Sequence, residues 1–372
     1  MAFKAIIAGG GTGGHLFPAV AVGEEMQRTR PESELLFVGA SNGIEAKWLP
    51  RSQFRYELLH VRGFTGKSPL SRLRALAEFL RALGQARKLT RAFRPDVVIG
   101  AGGYASAPTA IAAVIGRIPL ILMEQNTQPG LANRLLSRFA RKICVGFPDT
   151  APGFDAAKTE VTGNPVRFSK MPRPAAQHSG PLRILVLGGS SGAHRLNLGV
   201  LSAFEILQPL NIQVSITHQT GEADAAFVNQ AYRAMGRAAE VIAFIDDIAA
   251  ALDSADLIIA RAGAMTVSEI ALAGRAAIFV PYPFHPDHQQ EHNASVLARA
   301  GGAIIVGDDA QLGDNLAEIL QPLIGNPESV QEMGRCSRQA ALGDAAKHIV
   351  DLCFDVADAN LCRNRDAQEP AA

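Results

Sequence analysis

The sequence predicts an α/β protein built from two Rossmann-like domains. Short apolar runs of strand length alternate with helix-like stretches along the chain, a pattern typical of parallel sheets covered by helices on both faces. A strand, a glycine-rich loop and a helix open the chain, and the same succession begins again near Pro181. Because a Rossmann-like domain starts with such a unit, the repeat predicts two domains, for which 372 residues suffice.

Eleven apolar runs are expected to be strands, because they are short, aliphatic and bounded by turn-forming or charged residues. They lie at residues 5–8, 35–38, 97–100, 120–123, 142–145, 184–187, 214–217, 241–243, 257–260, 277–280 and 303–306.

Segment 97–116 is uncharged over about the length of a membrane span. Gly100, Gly102, Gly103 and Pro108 interrupt it, so we expect a buried strand, a loop and a helix here.

The domain boundary is expected in the proline-rich segment 163–174, G-N-P-V-R-F-S-K-M-P-R-P. We predict a first domain over 1–163, completed by a C-terminal helix at 345–358, and a second domain over 164–344. Residues 359–372 are polar and are expected to form a mobile tail. Ligands bind beyond the carboxyl ends of such strands, so the two domains should face each other across a cleft that holds the site.

Composition excludes several classes of protein. The net charge is +1, which gives no indication of a nucleic-acid partner, and the four cysteines show no C-x-x-C spacing for zinc or a disulfide framework. A reducing, cytoplasmic setting fits these cysteines. The strand-like start runs directly into the glycine loop, unlike a secretory signal peptide.

Three glycine-rich loops share one design, at residues 9–15, 100–104 and 188–192. Each follows a predicted strand, so bare N–H groups and a helix dipole can bind phosphate oxygens there. Gly9, Gly11 and Gly14 also fit G-x-G-x-x-G, but the second strand ends in Gly39 and Ala40 without the acid that holds a nicotinamide ribose. We therefore expect no nicotinamide or flavin cofactor. The alternative for each loop is a tight turn without a ligand.

The segment 256–274 predicts a second nucleotide contact. It reads as a strand at 256–260, a tight turn, and a helix ended by Gly274. Glu269 falls on the second turn of this helix, where a carboxylate can accept hydrogen bonds from both ribose hydroxyls while the helix N-terminus faces a diphosphate. The alternative is an ordinary solvated glutamate.

Taken together, these motifs resemble the MurG family of glycosyltransferases. The stretches that carry the resemblance are A-G-G-G-T-G-G-H-L-F-P-A, G-G-Y-A-S-A-P, E-Q-N, G-N-P-V-R, G-G-S-S-G-A, F-I-D-D and R-A-G-A-M-T-V-S-E, in this order from residue 8 onward. The resemblance implies a GT-B architecture. It also implies inverting transfer of N-acetylglucosamine from UDP-GlcNAc to the MurNAc C4 hydroxyl of undecaprenyl-diphospho-MurNAc-pentapeptide, turning lipid I into lipid II in peptidoglycan synthesis.

The resemblance also implies a set of residues that bind UDP-GlcNAc. Ser190 would meet the diphosphate, the Ile245 backbone the uracil edge, and Glu269 the ribose hydroxyls. Gln289 and Gln290 would bind the GlcNAc hydroxyls. The full donor set is Thr12, Gly13, Gly14, Asn126, Arg167, Ser190, Ile245, Ala264, Met265, Thr266, Val267, Ser268, Glu269, Gln289 and Gln290. Ala262 and Ser191 depart from the family pattern and leave fine donor contacts open.

On the acceptor side the resemblance implies that Gly11, Gly102, Gly103 and Tyr104 bind the lipid diphosphate. His15 is our candidate for the catalytic base, because a neutral imidazole can take a proton near working pH. The alternative is that His15 only bonds the diphosphate or fixes its loop. No D-x-D motif is present in the expected cleft segments, so no metal ion is expected, although His285, His288 and His292 could form a metal cluster.

Residues 60–95 hold nine basic side chains and one acid, Glu78. Leucines recur there at helical spacing, so an apolar stripe flanked by arginines could lie on an anionic membrane surface. The expected docking residues are Leu70, Arg72, Leu73, Arg74, Leu76, Phe79, Leu80, Arg81 and Leu83. This predicts a peripheral protein on the cytoplasmic face of the inner membrane, with cell-wall synthesis or division proteins as possible partners. The alternative is an ordinary amphipathic helix packed on its sheet.

Two other functions remain open at the level of sequence. A UDP-GlcNAc 2-epimerase would use the same architecture and donor without needing a lipid. A catalytically silent UDP-sugar-binding scaffold would keep the donor site and turn nothing over.

Overall fold

The fold is described from a computed structural model, which covers residues 2–61, 69–166, 168, 180–189, 192–285 and 287–366. The side chains at 69–73 and 363–366 are not part of this description. The predicted site residues Arg167 and Ser190, the departure at Ser191, and the side chains of Leu70, Arg72 and Leu73 therefore lie outside the described residues.

The chain divides into two units. Unit 1 comprises the described residues of Met1–Arg167 and Asp344–Ala372, and unit 2 those of Phe168–Gly343. Each unit contains a parallel sheet with helices, as the alternation of apolar runs predicts. The prediction of an α/β fold with two Rossmann-like domains is confirmed.

Unit 1 is built around a parallel sheet in the order β3-β2-β1-β4-β5-β6-β7. The strands are β1 (Lys4–Ala8), β2 (Glu34–Ala40), β3 (Arg55–Leu59), β4 (Val97–Gly100), β5 (Leu120–Glu124), β6 (Lys142–Val145) and β7 (Thr159–Val161). The helices are α1 (Gly13–Thr29), α2 (Glu45–Trp48), α3 (Pro69–Phe93), α4 (Ala107–Ile115), α5 (Leu131–Leu136) and α13 (Ala345–Asp366). Strands β1, β4 and β5 are buried nearly throughout, because helices cover both faces of the sheet.

The last helix of the chain belongs to unit 1. Helix α13 packs against α1, and Phe354 stacks edge-on against Phe3 with ring centroids 4.7 Å apart. The Arg30 guanidinium lies 3.7 Å from the Phe354 ring centroid, a cation–π contact that also stabilises the packing of α13 on unit 1. The tail predicted from residue 359 differs from the structure, since α13 continues to Asp366. Residues 359–366 contain no glycine or proline, so nothing in the sequence ends the helix there.

Unit 2 repeats the arrangement with a parallel sheet in the order β10-β9-β8-β11-β12-β13. Its strands are β8 (Leu182–Leu187), β9 (Val214–Gln219), β10 (Glu240–Ile242), β11 (Leu257–Ala260), β12 (Ala276–Phe279) and β13 (Ala303–Ile305). Its helices are α6 (His194–Ile206), α7 (Ala225–Ala234), α8 (Ile248–Asp253), α9 (Ala264–Ala273), α10 (Gln289–Arg299), α11 (Leu312–Gly325) and α12 (Pro327–Gln339). Helices α6 and α11 pack together over the core on one side of this sheet.

The strand order creates one topological switch point in each unit. In unit 1 it lies between β1 and β4, and in unit 2 between β8 and β11. The chain leaves these neighbouring strands in opposite directions along the sheet, which opens a crevice at their carboxyl ends. The three glycine-rich loops and the Arg261 turn all follow these four strands, so the fold places every predicted phosphate-binding loop at a crevice.

The eleven predicted strands are present, each within two residues of its predicted bounds. Segment 97–116 forms β4, a loop and α4, as expected. In the described part of the chain, no helix combines the length and the apolar character that crossing a bilayer requires.

Candidate functional site

The glycines of unit 1 bring two loops into contact at the crevice. The loop after β1 and the loop after β4 touch so closely that a Cβ on Gly103 would lie 2.4 Å from the Gly10 carbonyl oxygen. Gly11, Gly102 and Gly103 have φ values of 91°, 88° and 75°, a left-handed region that favours glycine. The backbone conformation and the contact between the two loops are therefore enough to explain why these positions are glycine, without any ligand.

A buried carboxylate that the sequence analysis missed occupies the interior of the first loop. Glu45 is completely buried, and both of its carboxylate oxygens lie 2.9 Å from the Gly11 nitrogen. One oxygen also accepts from the Ala40 N–H at 2.7 Å. A Cβ on Gly10, Gly39 or Gly43 would lie 2.3 to 2.4 Å from atoms of this side chain. These glycines therefore make room for an internal anion.

This arrangement corrects the role expected of Gly11. Its N–H donates to Glu45 and is therefore not available for the predicted contact with a diphosphate. The N–H groups of Thr12, Gly13 and Gly14, at the start of α1, have no hydrogen-bond acceptor within the residues described. These three groups, with the positive end of the helix dipole, could accept an anion at this position.

We expect Glu45→Gln to destabilise the protein. The amide has one hydrogen-bond acceptor instead of two, and its NH₂ group would face a backbone N–H. A buried donor left without a partner costs about 1–3 kcal/mol, so the free energy of unfolding should fall by about that amount in urea denaturation. Asp96→Asn is the matched control, because Asp96 accepts the Lys4 N–H at 2.8 Å in a less buried setting at the opposite edge of the sheet. An unchanged unfolding midpoint for Glu45→Gln would contradict this account.

His15 lies at the junction of the two loops. Its Nδ1 is 3.0 Å from the Thr12 hydroxyl, and its ring packs against Gly102, where a Cβ would lie 2.7 Å from Cδ2. Burial by the surrounding atoms lowers the pKa of His15 to about 4. The imidazole is therefore neutral at working pH, the form that a base requires. A bound diphosphate would favour its protonated form and raise the pKa toward a more effective range.

The E-Q-N segment is held in place by its own glutamate. Glu124 is buried, and its carboxylate accepts hydrogen bonds from the Gly130 N–H at 2.9 Å and the Asn133 amide at 2.9 Å. The same carboxylate accepts from the Asn126 backbone N–H at 3.2 Å, and the Asn126 amide nitrogen lies 3.4 Å away. Asn126, predicted to reach the donor, is thus oriented by Glu124, which the sequence analysis quoted without a role.

In unit 2 the side chain of Gln219, at the end of β9, holds the third glycine loop by hydrogen bonds. The Gln219 amide donates to the Gly189 carbonyl at 3.0 Å and to the Ala243 carbonyl at 3.0 Å. Gly189 and Gly192 both have positive φ, and a Cβ on Gly192 would lie 2.4 Å from the Thr220 carbonyl oxygen. Helix α6 begins at His194, directly after this loop, so its N-terminus lies at the crevice.

Helix α9 presents one partly exposed face to the crevice. Met265, Thr266 and Glu269 are partly exposed and share this face by their three- and four-residue spacing, whereas Ala264, Val267 and Ser268 are buried. Ala264, Val267 and Ser268 were predicted to contact the donor, but because their side chains are buried they can do so only through backbone atoms. Although the residue is partly exposed, close packing around the Glu269 carboxyl group disfavours its charged form and raises its pKa to about 8.

The glutamines at the start of α10 have different roles. The Gln290 side-chain oxygen accepts the Tyr282 N–H at 2.9 Å and the Ala262 N–H at 3.2 Å, so this oxygen holds the Arg261 turn and is not free for a sugar. Gln289 is partly exposed at the helix N-terminus.

Two histidines of the possible metal cluster have acidic partners instead: His285 pairs with Asp287, and His288 pairs with Glu291. Over the described ranges, no three His, Cys, Asp or Glu side chains are grouped as metal ligands would be.

The loop before α8 carries an aromatic side chain that the sequence analysis also missed. Phe244 is 53% exposed and precedes Ile245, whose backbone is the predicted uracil contact. Asp247 caps α8 by accepting the Ala250 N–H at 3.0 Å, which leaves Phe244 at the end of an anchored loop. An exposed aromatic ring next to a predicted base contact can stack on that base.

Helix α3, which was predicted to dock on a membrane, differs in part from that prediction. Leu76 and Leu80 are exposed, by 46% and 58%, but Phe79 and Leu83 pack against the core of unit 1 and are not free to enter a bilayer. Arg74 and Arg81 are exposed on another side of the helix, and Arg74 lies 3.6 Å from Glu78. Arg87 and Arg91 of α3 are in line with Leu76 and Leu80 by helical spacing, and Arg94 directly follows the helix.

Fold and loops together define the class of protein. Two Rossmann-like units, each with glycine loops and helix N-termini at its switch point, form a nucleotide-sugar glycosyltransferase of the GT-B type. The N-terminal and C-terminal domain models of glycosyltransferase family 28 match residues 5–145 and 183–349. The chain belongs to glycosyltransferase family 28.

Individual proteins support the same assignment. The chain is 42% identical over 355 residues to the UDP-N-acetylglucosamine--N-acetylmuramyl-(pentapeptide) pyrophosphoryl-undecaprenol N-acetylglucosamine transferase of Geotalea uraniireducens, covering 94% of this chain and 97% of that protein. The crystal structure of MurG from Acinetobacter baumannii matches with a TM-score of 0.79 at 33% identity, over 95% of this chain and 99% of that one. A UDP-GlcNAc 2-epimerase from Neisseria meningitidis shares the fold, with a TM-score of 0.65 at 15% identity over 95% of this chain and 100% of that one.

Proposed function

We propose that this protein transfers N-acetylglucosamine from UDP-GlcNAc to the C4 hydroxyl of MurNAc in undecaprenyl-diphospho-MurNAc-pentapeptide. The reaction makes the lipid-linked disaccharide used in peptidoglycan synthesis. Relatives at about two-fifths identity over nearly the whole chain carry the name of this transferase. The structural observation that carries the proposal is the pairing, in unit 2, of a carboxylate on α9 with helix N-termini at the switch point.

Unit 2 binds the donor in this proposal. The N-termini of α6 and α9 bind the diphosphate, and Glu269 accepts hydrogen bonds from the ribose hydroxyls. Phe244 stacks on the uracil while the Ile245 backbone reads its edge. As the bond between the anomeric carbon and the phosphate oxygen breaks, these helix N-termini stabilise the charge that develops on UDP.

Unit 1 binds the acceptor substrate. The N–H groups of Thr12, Gly13 and Gly14, which the sequence predicted to contact the donor, bind the acceptor diphosphate in this proposal together with the Gly102–Tyr104 turn. His15 takes the proton from the attacking C4 hydroxyl. The new bond joins that oxygen to the anomeric carbon of GlcNAc, opposite the departing UDP, so the configuration inverts. Helix N-termini supply the charge stabilisation that a metal ion would otherwise give, so the reaction should need no divalent cation.

The direct test is transfer of radiolabelled GlcNAc from UDP-GlcNAc to a soluble analogue of the acceptor, with and without EDTA. We expect labelled disaccharide product at the same rate in both. Loss of activity with EDTA and its return with magnesium would contradict the metal-independent mechanism. UDP-GlcNAc incubated alone is the control, and conversion to the manno epimer there would favour a 2-epimerase. Absence of product both with and without the acceptor analogue would favour a binding scaffold.

We further propose that α3 docks the protein on an anionic membrane as a peripheral protein. Leu76 and Leu80 form the apolar part of this surface. Arg87, Arg91 and Arg94 line a cavity of about 300 Å³ together with Ile115, which is itself 48% exposed. An apolar stripe continuing into a basic cavity suits a bilayer surface with anionic headgroups.

Replacing both Leu76 and Leu80 by serine should release the protein from vesicles that contain anionic lipid, without lowering its melting temperature, because both side chains are exposed. Vesicle co-sedimentation and thermal unfolding measure the two effects. The matched control is Ile206→Ser with Leu210→Ser, which changes two exposed apolar residues of unit 2. Equal vesicle binding by the Leu76/Leu80 variant and the wild type would exclude this surface.

A further inference from the structure

One buried carboxylate in unit 2 holds two arginines at the carboxyl edge of the sheet. The Asp308 side chain is 1% exposed, and its two oxygens lie 2.6 Å from Arg195 Nε and 2.8 Å from Arg261 Nη2. Arg195 also donates to the Asp308 backbone carbonyl at 2.9 Å. Arg195 and Arg261 are 47% and 12% exposed at their side chains, so the cluster runs from the interior toward the surface.

The cluster connects the segments that follow four of the six strands of unit 2. Arg195 is the second residue of α6, after the third glycine loop, and Arg261 directly follows β11. Arg261 also donates to the Val280 carbonyl at 2.9 Å and lies 3.3 Å from the Pro281 carbonyl, at the end of β12. Asp308 itself follows β13. The ends of β8, β11, β12 and β13 are therefore joined through one carboxylate.

The two arginines also support the loop between β12 and α10. The guanidinium of Arg261 lies 5.9 Å from the Tyr282 ring centroid, and that of Arg195 lies 5.7 Å from the Phe284 ring centroid. The two rings contact each other edge-on at 5.5 Å, and both are exposed. This loop leads to Gln289 and Gln290, so its position sets the start of α10.

We propose that Asp308 is a positioning residue for donor binding. It fixes Arg195 and Arg261 so that the N-terminus of α6, the Arg261 turn and the start of α10 are held in position for one UDP-sugar. With one carboxylate between two guanidinium groups, the cluster carries a net charge of +1 (two cations and one anion), which also favours a diphosphate at this edge. The inference rests on the proposed function, since it assigns the donor to unit 2.

The test compares Asp308→Asn with Asp256→Asn in the full-length protein. Asp256 also uses both carboxylate oxygens, but both pair with the same arginine, Arg183, at 2.6 and 3.1 Å, and the pair lies at the amino ends of β8 and β11, away from the crevice. We expect Asp308→Asn to raise the donor KM and the Kd for UDP by about tenfold or more, because loops displaced by a fraction of an ångström lose their shared geometry. The acceptor KM should not change. Asp256→Asn should lower the melting temperature and leave both donor constants at the wild-type value.

Equal changes in donor KM for the two variants, or none for a folded Asp308→Asn, would overturn the proposal. If Asp308→Asn does not fold, Arg195→Gln replaces it, since that side chain is half exposed and Arg261 would still pair with Asp308. This variant should raise the donor KM severalfold, and a wild-type donor KM would overturn the proposal equally. A wild-type protein that binds no UDP in calorimetry would instead refute the proposed function.

Discussion

Replacing His15 by glutamine should lower kcat by about 100- to 10,000-fold, the usual contribution of a positioned base, while the KM for UDP-GlcNAc stays at its wild-type value. Glutamine can still hydrogen-bond the Thr12 hydroxyl, which lies 3.0 Å from His15 Nδ1. It cannot accept a proton. Because the pKa of His15 is lowered to about 4, the imidazole of the free protein is neutral, and able to act as a base, at every pH above that value. A bound diphosphate raises this pKa and moves the lower limit for turnover to a higher pH.

Thr12→Val separates the two roles open to His15. If His15 only fixes its loop through the Thr12 hydroxyl, removing that hydroxyl should slow turnover as much as His15→Gln does. If His15 is the base, Thr12→Val should leave most of the turnover. Steady-state kinetics at saturating acceptor substrate measure both variants. Near-normal turnover by His15→Gln would exclude the catalytic role altogether.

The positions of the glycine loops could be predicted from the sequence. The reason why these loops contain so many glycines could be predicted only in part. Strand, loop and helix follow each other locally, so the position of each loop is readable from the pattern of residues. The atom that fills the first loop comes from Glu45, 34 residues beyond Gly11. The sequence signal was present in G-A-S-N-G-I-E, an acid shortly after two glycines that follow the second strand. Only the register of β1 beside β2 shows that Gly10, Gly39 and Gly43 surround one carboxylate.

The strands missed by the sequence analysis are β3 and β7, the two edge strands of unit 1. β3 reads R-Y-E-L-L and is mostly exposed, and β7 has three residues. Edge strands are buried on fewer sides, so they need no continuous apolar run and leave a weak signal. The central strands were predictable because helices cover both of their faces.

Tertiary neighbours account for two further differences, one at the site and one on α3. Gln290 looked available for a sugar, but its oxygen holds two backbone N–H groups, from Ala262 and Tyr282. Phe79 looked like a membrane contact, but its side of α3 packs against the core. In both cases the residue type was read correctly, while the direction of the side chain depended on tertiary neighbours that periodicity does not specify.

Binding of UDP-GlcNAc should strengthen as the pH rises toward about 8, and Glu269→Gln should abolish this dependence. The pKa of Glu269 is raised to about 8 because burial disfavours its charge. Below that pH the free protein mostly holds the neutral acid, whereas accepting hydrogen bonds from two ribose hydroxyls requires the carboxylate. Donor binding at pH 7 should therefore release a proton, and the Kd should rise by up to about tenfold per pH unit below 8.

Calorimetry of UDP-GlcNAc binding between pH 6 and 8.5 measures the slope, and buffers of different ionisation enthalpy measure the released proton. Glu269→Gln should bind about tenfold or more weakly at pH 8, because a hydrogen bond to a charged group contributes about 1.5–3 kcal/mol, and its Kd should not vary with pH. Glu291→Gln is the matched control, because Glu291 lies at the start of α10 in the same unit and pairs with His288 on the surface. Its pH dependence should equal that of the wild type. A flat profile for the wild type, or a slope retained by Glu269→Gln, would show that another group controls donor binding.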